Sequence, residues 1–298
     1  MPNGKRKGIL VGIDGSERSL HTVRYVSTVP GFCRMNVTLL SLYSEIPEAY
    51  WDLQKMPQFR QRLGEVHAWE IQAQGEMEEK LREAERILVK AGVPKESVTV
   101  RSRKIRQGIA RDLIKEGKKY QTVAIGRRSS GRVKELMLGS VSTKLLEKVD
   151  YAPVVLVGKD SDAESVLLAL DGSPNSMRSV GYLARMMAGG DARITLFHAI
   201  RGDDRRLVEM TREAIGEVFE QAKNRLAKAG FGERDLSTRI VSGVESRAAA
   251  VVSEARTGGH GTIVLGRKGH SRLQQFYMGR ISKKVVTMAR GLAVWVVC

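Results

Sequence analysis

Residues 8–16 read GILVGIDGS, and residues 165–173, 157 positions further on, read SVLLALDGS. Outward from this pair, the same offset aligns Ser19 with Ser176, Tyr25 with Tyr182, and VTLLSL (37–42) with ITLFHA (194–199). A second offset, of 140, aligns TVAIGRR (122–128) with TIVLGRK (262–268), VSTKLLEK (141–148) with ISKKVVTM (281–288), and PVVLV (153–157) with AVWVV (293–297). Matches at constant offset over so many segments identify an internal duplication. The offsets differ by 17, so the first copy holds 17 extra residues between its second and fourth apolar runs. The repeat implies a first domain over 1–158, with an insertion at about 44–74, and a second over 165–298. The polar connector 159–164 is too short to let the two wander far apart.

Each copy alternates short β-branched runs with helical segments. The runs of the first copy are ILVGI, VTLLSL, VTVRS, TVAIG and PVVLV. Runs of this length, apolar on both faces, suit strands buried within a parallel sheet. Met77, Leu81, Ala84 and Leu88 recur at helical spacing, with Glu78, Glu79, Arg82, Glu83 and Glu85 on the other faces. In the second copy, Val208, Ala214, Val218, Ala222 and Leu226 are the corresponding expected stripe. Strands alternating with helices predict right-handed βαβ units and an α/β architecture. The insertion, with Pro47, Tyr50, Trp51 and Pro57, reads as an extended loop and a lengthened helix, with a passive surface addition favoured and a lid left as the lesser reading.

Composition narrows the class. Of the 298 residues, 42% are hydrophobic and 28% charged, enough apolar surface to offset the entropy of ordering, which excludes a disordered chain. No run of about 18 apolar residues occurs, so a spanning helix is excluded. The start, MPNGKRKGILVGID, is broken by Asp14 too early for a secretory signal. Cys33 and Cys298 make neither a disulfide framework nor a metal-ligand cluster. A cytoplasmic protein is the expectation.

The formal charge of +17 raises a nucleic-acid or membrane-surface reading, but residues 1–160 carry +10 and the remainder +7. No detachable basic tail exists. In the densest run Arg101, Arg103, Lys104, Arg106, Arg111, Lys115, Lys118 and Lys119 face only Asp112 and Glu116. A solvated basic face is the favoured reading, with nucleic acid or an anionic surface left as the lesser one.

Two loops in each copy can carry chemistry. The first is Asp14-Gly15-Ser16, repeated as Asp171-Gly172-Ser173. An acidic residue and a serine after a strand also serve simply to cap the following helix, and both roles stay open. The second runs from Gly126-Arg127-Arg128-Ser129 to Gly139-Ser140, repeated as Gly266-Arg267-Lys268-Gly269 to Gly279-Arg280. Glycines let backbone N–H groups approach an anion, and a helix N-terminus adds partial positive charge. Arg127, Arg128, Arg267 and Lys268 are expected to add full charges nearby. A pair of ordinary glycine-rich turns is the alternative. No P-loop or G-x-G-x-x-G pattern occurs. His21, His67, His198, His260 and His270 lack metal spacing, and His198 reads as a packed, hydrogen-bonded strand histidine.

The combination of strand-Asp-Gly-Ser with G-x2-G-x9-G-(S/T), a helix and a terminal strand resembles the universal stress protein family, twice over. The resemblance implies, in each copy, a doubly wound five-stranded parallel sheet of order 3-2-1-4-5 with helices on both faces, the copies related by pseudo-twofold symmetry. Many members bind ATP, while another branch lacks the glycine motif and does not. No robust catalysis defines the family, so a non-enzyme is expected, with any hydrolysis slow and incidental. By resemblance, Asp14 and the backbone at Leu42 meet the adenine or ribose, while Gly126, Ser129, Gly139, Ser140 and Val141 hold ribose and phosphates. The matching set is Asp171, Ala199, Gly266, Gly269, Gly279, Arg280 and Ile281.

Each copy departs from the motif once. Ser129 replaces a glycine in the first, and Arg280 replaces the phosphate-facing hydroxyl in the second. Gly139-Ser140 tips the expectation slightly toward the first copy. The function implied is a stress-response protein with ATP, with or without Mg2+, as a regulatory ligand. A nucleotide-free scaffold acting through protein contacts is the alternative. The family pairs domains through their last strands, so internal pairing of the two copies is expected. A further homodimer is compatible with this, and no protein partner is named by the sequence.

Overall fold

The computed structural model describes residues 7–43, 63–127, 138–269 and 278–298. The first repeat runs β1 (Lys7–Ile13), α1 (Glu17–Thr28), α2 (Pro30–Cys33), β2 (Val37–Tyr43), α3 (Leu63–Lys90), β3 (Val98–Lys104), α4 (Ile109–Gly117), β4 (Tyr120–Gly126), α5 (Ser140–Lys148) and β5 (Val154–Val157). The second runs β6 (Ser165–Ala169), α6 (Pro174–Met187), β7 (Arg193–Arg201), α7 (Arg205–Ala227), β8 (Leu236–Val244), α8 (Arg247–Thr257), β9 (Thr262–Gly266), α9 (Arg280–Met288) and β10 (Ala293–Val297).

Alternation explains why the strands read as continuous apolar runs. On β1, Ile9, Val11 and Ile13 enter one core while Leu10 enters the other. One core packs α1, α3, α6 and α7 against the sheet; the opposite face carries α4, α5, α8 and α9. Each core runs through both repeats, so the hydrophobic layers follow the sheet faces rather than the repeat boundary. Leu81, Ala84 and Leu88 of α3 are buried at the expected spacing, each large side chain contributing about 1.5–3 kcal/mol. In α7 the stripe differs from the expected one: Ile215, Phe219, Ala222 and Leu226 are buried, while Ala214 is exposed. Larger side chains one position away reach the sheet, and they set the helix rotation.

Within each repeat the strands are parallel in the order 3-2-1-4-5, as the family resemblance implied. The two sheets then join: β5 pairs antiparallel with β10, with Val155 opposite Trp295. A single ten-stranded sheet results, in the order β3-β2-β1-β4-β5-β10-β9-β6-β7-β8. Pairing covers two apolar strands that would otherwise be exposed sheet edges. Among the described strands, the remaining edges are β3 and β8. The basic run falls partly on β3, where Arg103 and Lys104 are exposed, and charge on an edge strand discourages further strand addition.

That basic run is also organised around one carboxylate. Glu116, nearly buried, lies 2.7 Å from Lys119, 3.0 Å from Arg103 and 3.6 Å from Arg101. Burial raises its carboxyl, but the Lys119 hydrogen bond and the nearby arginines outweigh burial and hold it below its ordinary value. Asp112 accepts hydrogen bonds from the backbone N–H of Arg106 and Gln107. The connector is likewise fixed: Asp160 N–H donates to Gly291 O at 2.7 Å, and Asp162 accepts from the amides of Glu164 and Ser165. Of the insertion, residues 63–74 form the start of α3, and 44–62 lie outside the described residues. No described helix is long and apolar enough to cross a membrane.

Candidate functional site: a crevice at the strand order reversal

Strands β6 and β9 are neighbours whose following segments leave in opposite directions, one to α6 and one to the glycine loop. In parallel sheets this reversal opens a crevice beyond the carboxyl ends of the strands. Here it forms a cavity of about 1300 Å³. The equivalent hollow in the first repeat, between β1 and β4, measures about 100 Å³. Small-molecule sites are roughly 300–1,000 Å³, whereas the smaller hollow matches about three waters' share of liquid.

The serine of each Asp-Gly-Ser loop takes the capping role. Ser16 Oγ accepts from Ser19 N–H, and Ser173 Oγ from Ser176 N–H. The intervening glycines adopt φ values of +76° and +77°, which a side chain would strain. The aspartates brace the turns: Asp14 Oδ1 accepts from the Ser16 amide at 3.1 Å and its hydroxyl at 2.5 Å, while Asp171 Oδ1 accepts from Ser173 N–H at 3.0 Å. Burial raises the Asp14 carboxyl, yet the Ser16 donors win and hold it below the usual carboxylate value. Both aspartates line their crevices. Asp171 also crosses to the glycine loop, where a Cβ on Gly269 would come within 2.4 Å of its Oδ2.

Opposite the aspartates, α5 and α9 begin at Gly139 and Gly279 with no side-chain cap. The other helix N-termini facing the large cavity are capped by Ser173, Asp204 and Ser246. Thus α9 leaves its first amides, at Arg280, Ile281 and Ser282, for water or an anion. Lys268, Arg280 and Lys284 flank it, and Arg201 and Arg247 line the same cavity; its acidic members are Asp171 and Glu245. Arg280 is exposed and does not plug the space.

The remaining expected positions divide clearly. Leu42, Val141 and Gly139 line the small hollow with Gly126; Ser140 is the exposed first residue of α5. Ala199, Gly266, Gly269, Gly279 and Ile281 line the large one. Gly126 and Gly266 serve packing: a Cβ on Gly266 would lie 2.7 Å from Ser176 N, and one on Gly126 3.0 Å from Thr22 Oγ1. Ser129, Arg128 and His270 lie outside the described residues.

Two expected phosphate-side charges are elsewhere. Arg127 and Arg267 are buried, 8% and 3% exposed, and turn away from their own loops. Arg127 donates to Val286 O and Ala289 O of the second repeat, each at 2.5 Å. Arg267 donates to Leu146 O and, at 2.5 Å, to Val149 O of the first. Burial, with the like charge of Arg290, pushes the Arg127 guanidinium down to about 10.

His198 packs on β7 as expected, its Nδ1 2.6 Å from Leu170 O, and its ring borders the cavity. Burial, assisted by Arg247, lowers its basicity against the opposing pull of the Leu170 carbonyl and Asp171. Cys33 and Cys298 are half-buried, and burial raises both thiols. Neither has the character of a reactive thiolate.

The model of the universal stress protein family matches residues 5–158 and again 163–297. The chain belongs to that family. A universal stress protein of Mycolicibacterium smegmatis is 25% identical over 292 residues, covering 95% of this chain and 94% of the relative. A universal stress protein structure from Archaeoglobus fulgidus aligns at TM-score 0.59 and 19% identity, over 98% of each chain. A putative one from Pseudomonas aeruginosa aligns at TM-score 0.60 and 15% identity, over 98% of this chain and 93% of that one. These structural likenesses concern the fold. Within this tandem universal stress protein, the cavity wall from α7, including Leu207 and Met210, went unread in the sequence. Its only signal was the apolar group Leu207, Val208 and Met210 amid charged residues, which periodicity alone does not assign to a crevice.

Proposed function

We propose that this tandem universal stress protein binds an adenine nucleotide, ATP in the first instance, as a regulatory ligand in the crevice of its second repeat. The observation that carries the reading is the uncapped α9 N-terminus opening onto a cavity of about 1300 Å³ beside Lys268, Arg280 and Lys284. Backbone amides and the helix dipole suit phosphate oxygens, and the three cations add charge-assisted bonds. Asp171, across the crevice, is positioned to accept hydrogen bonds from ribose hydroxyls or the base. Among the described residues, no three His, Cys, Asp or Glu side chains form a metal-holding group, so Mg2+ would arrive on the phosphates. The hollow of about 100 Å³ favours a second role for the first repeat, as a nucleotide-free scaffold.

Equilibrium dialysis of the full chain against labelled ATP tests this. Retention of one nucleotide per chain is expected, with loss of affinity in Asp171→Ala and in Gly269→Ala, whose new methyl displaces the Asp171 carboxylate. No retention at roughly millimolar ATP, where even about 4 kcal/mol of binding would register, overturns the proposal.

A further inference from the structure

We propose that Arg127 is a positioning residue for the anion seat of the second repeat. This inference rests on the nucleotide reading of the second crevice.

The geometry is reciprocal. The Arg127 guanidinium donates to the carbonyls of Val286 and Ala289, at the carboxyl end of α9. Arg267, its counterpart at the offset of 140, donates to Leu146 and Val149, the residues equivalent to Val286 and Ala289. The amino end of α9 faces the large cavity, and the amino end of α5 borders the small one. Each glycine loop therefore begins with an arginine that holds the far end of the other repeat's seating helix.

The crossing does more than hold the two repeats together. First, α9 has nine residues, a rod of about 13 Å, so restraint of its last carbonyls is transmitted to its first amides. Second, a cation at the carboxyl end offsets the negative pole of the helix dipole, leaving the positive pole at the cavity less opposed. Third, a buried guanidinium is a costly adhesive, and an apolar side chain of like volume would often hold a seam as well. Arg127 receives two carbonyl acceptors in return, and a planar fork matches them where an ammonium would not. Its own amide donates to Val157 O at 2.8 Å, which anchors the root of the loop to β5 at the seam.

Lys268, adjacent to Arg267, shows the division of labour. It borders the cavity, whereas Arg267 crosses the seam. The first residue after each motif's opening glycine is thus assigned to the opposite repeat.

The test compares wild type with Arg127→Met, which keeps bulk without charge, and Arg127→Lys. ATP and adenosine affinities of the full chain are measured, together with amide hydrogen exchange of α9 without ligand. The expected result is a fall of about tenfold in ATP affinity with adenosine unchanged, because only phosphates use the α9 amides, and faster exchange along α9. Lysine should give an intermediate loss. Equal ATP affinity in all three proteins, or equal loss for ATP and adenosine, overturns the inference. Should wild type retain no ATP, the nucleotide reading fails separately. Exchange then decides: unchanged α9 protection in both variants refutes the clamp, and faster exchange in them supports it. If Arg127→Met does not fold, Arg127→Lys is judged by the same readouts.

Discussion

The hydroxyl of Tyr25, on α1 of the first repeat, lies 2.8 Å from Oγ1 of Thr262, on β9 of the second. The direction of the hydrogen bond follows from its neighbours. Trp295 Nε1–H donates to the Tyr25 oxygen at 2.8 Å, and the Thr262 hydroxyl donates to Asp162 O at 2.5 Å. Tyr25 must therefore donate to Thr262, giving a polar chain through a buried seam. The pseudo-twofold partner, Tyr182 with Thr122 at 2.6 Å, has no tryptophan, because Val155 stands opposite Trp295. Trp295 instead packs its ring against Phe32 and Tyr182.

Removing these hydroxyls should have unequal cost. Tyr25→Phe strands the buried Trp295 N–H and is expected to destabilise by about 1–3 kcal/mol. Tyr182→Phe takes the partner from one buried group, the Thr122 hydroxyl, where Tyr25→Phe takes it from two, so its cost should be the smaller, about 1 kcal/mol. Urea unfolding of the two variants, followed by tryptophan fluorescence and circular dichroism, checks the order. A larger loss for Tyr182→Phe would contradict the seam chemistry.

The glycines that open the two loops predict a second asymmetry. In Gly266→Ala the new methyl meets backbone, Ser176 N at 2.7 Å and Asn175 C at 2.8 Å, so α6 must retreat from β9. In Gly126→Ala the nearest atom is the Thr22 hydroxyl at 3.0 Å, with Arg18 O at 3.2 Å. Overpacking of the first kind costs about 1–3 kcal/mol, and the second should cost less. Thermal unfolding of both variants measures the difference; equal midpoints would refute it.

Acid sensitivity follows from two histidines. Burial lowers the basicity of both His198 and His260, the latter with Nδ1 2.8 Å from Ser165 Oγ. A depressed folded value means that the unfolded chain binds protons first as pH falls. The histidine contribution is thus intact above the unfolded value of about 6.5 and is lost progressively as pH drops through the folded values. Melting temperature should be level from pH 8 to 7 and decline below about 6.5, with a shallower decline in His260→Gln. A decline in the variant as steep as in wild type would remove His260 from the account.

Much of this architecture was legible in one dimension. The offsets of 157 and 140 align Tyr25 with Tyr182 and Arg127 with Arg267 within the sequence itself. The spacing of Met77, Leu81, Ala84 and Leu88 read the buried face of α3 correctly, since a period of 3.6 is a property of the backbone. In α7 it was right at Ala222 and Leu226 but missed Ile215 and Phe219, which outweigh Ala214 once a sheet is present to receive them. At the crevice, the Asp-Gly-Ser turns and the uncapped glycine starts of α5 and α9 were readable because caps act over three or four residues. Neither the cavity volumes nor the destinations of Arg127 and Arg267 left any trace at that range.

Local order and its duplication were therefore written into the chain itself: which segments are strands, which turns carry Asp14 and Asp171, and that everything occurs twice. Only the folded molecule decided that Arg127 and Arg267 cross the seam and that the second crevice, not the first, is roomy. Strand and cap signals depend on neighbours a few bonds apart. The crossings depend on β5 meeting β10 antiparallel, which brings together atoms separated by 118 to 162 residues along the chain, and the crevice depends on how α7, α8 and α9 pack around the ends of β6 and β9.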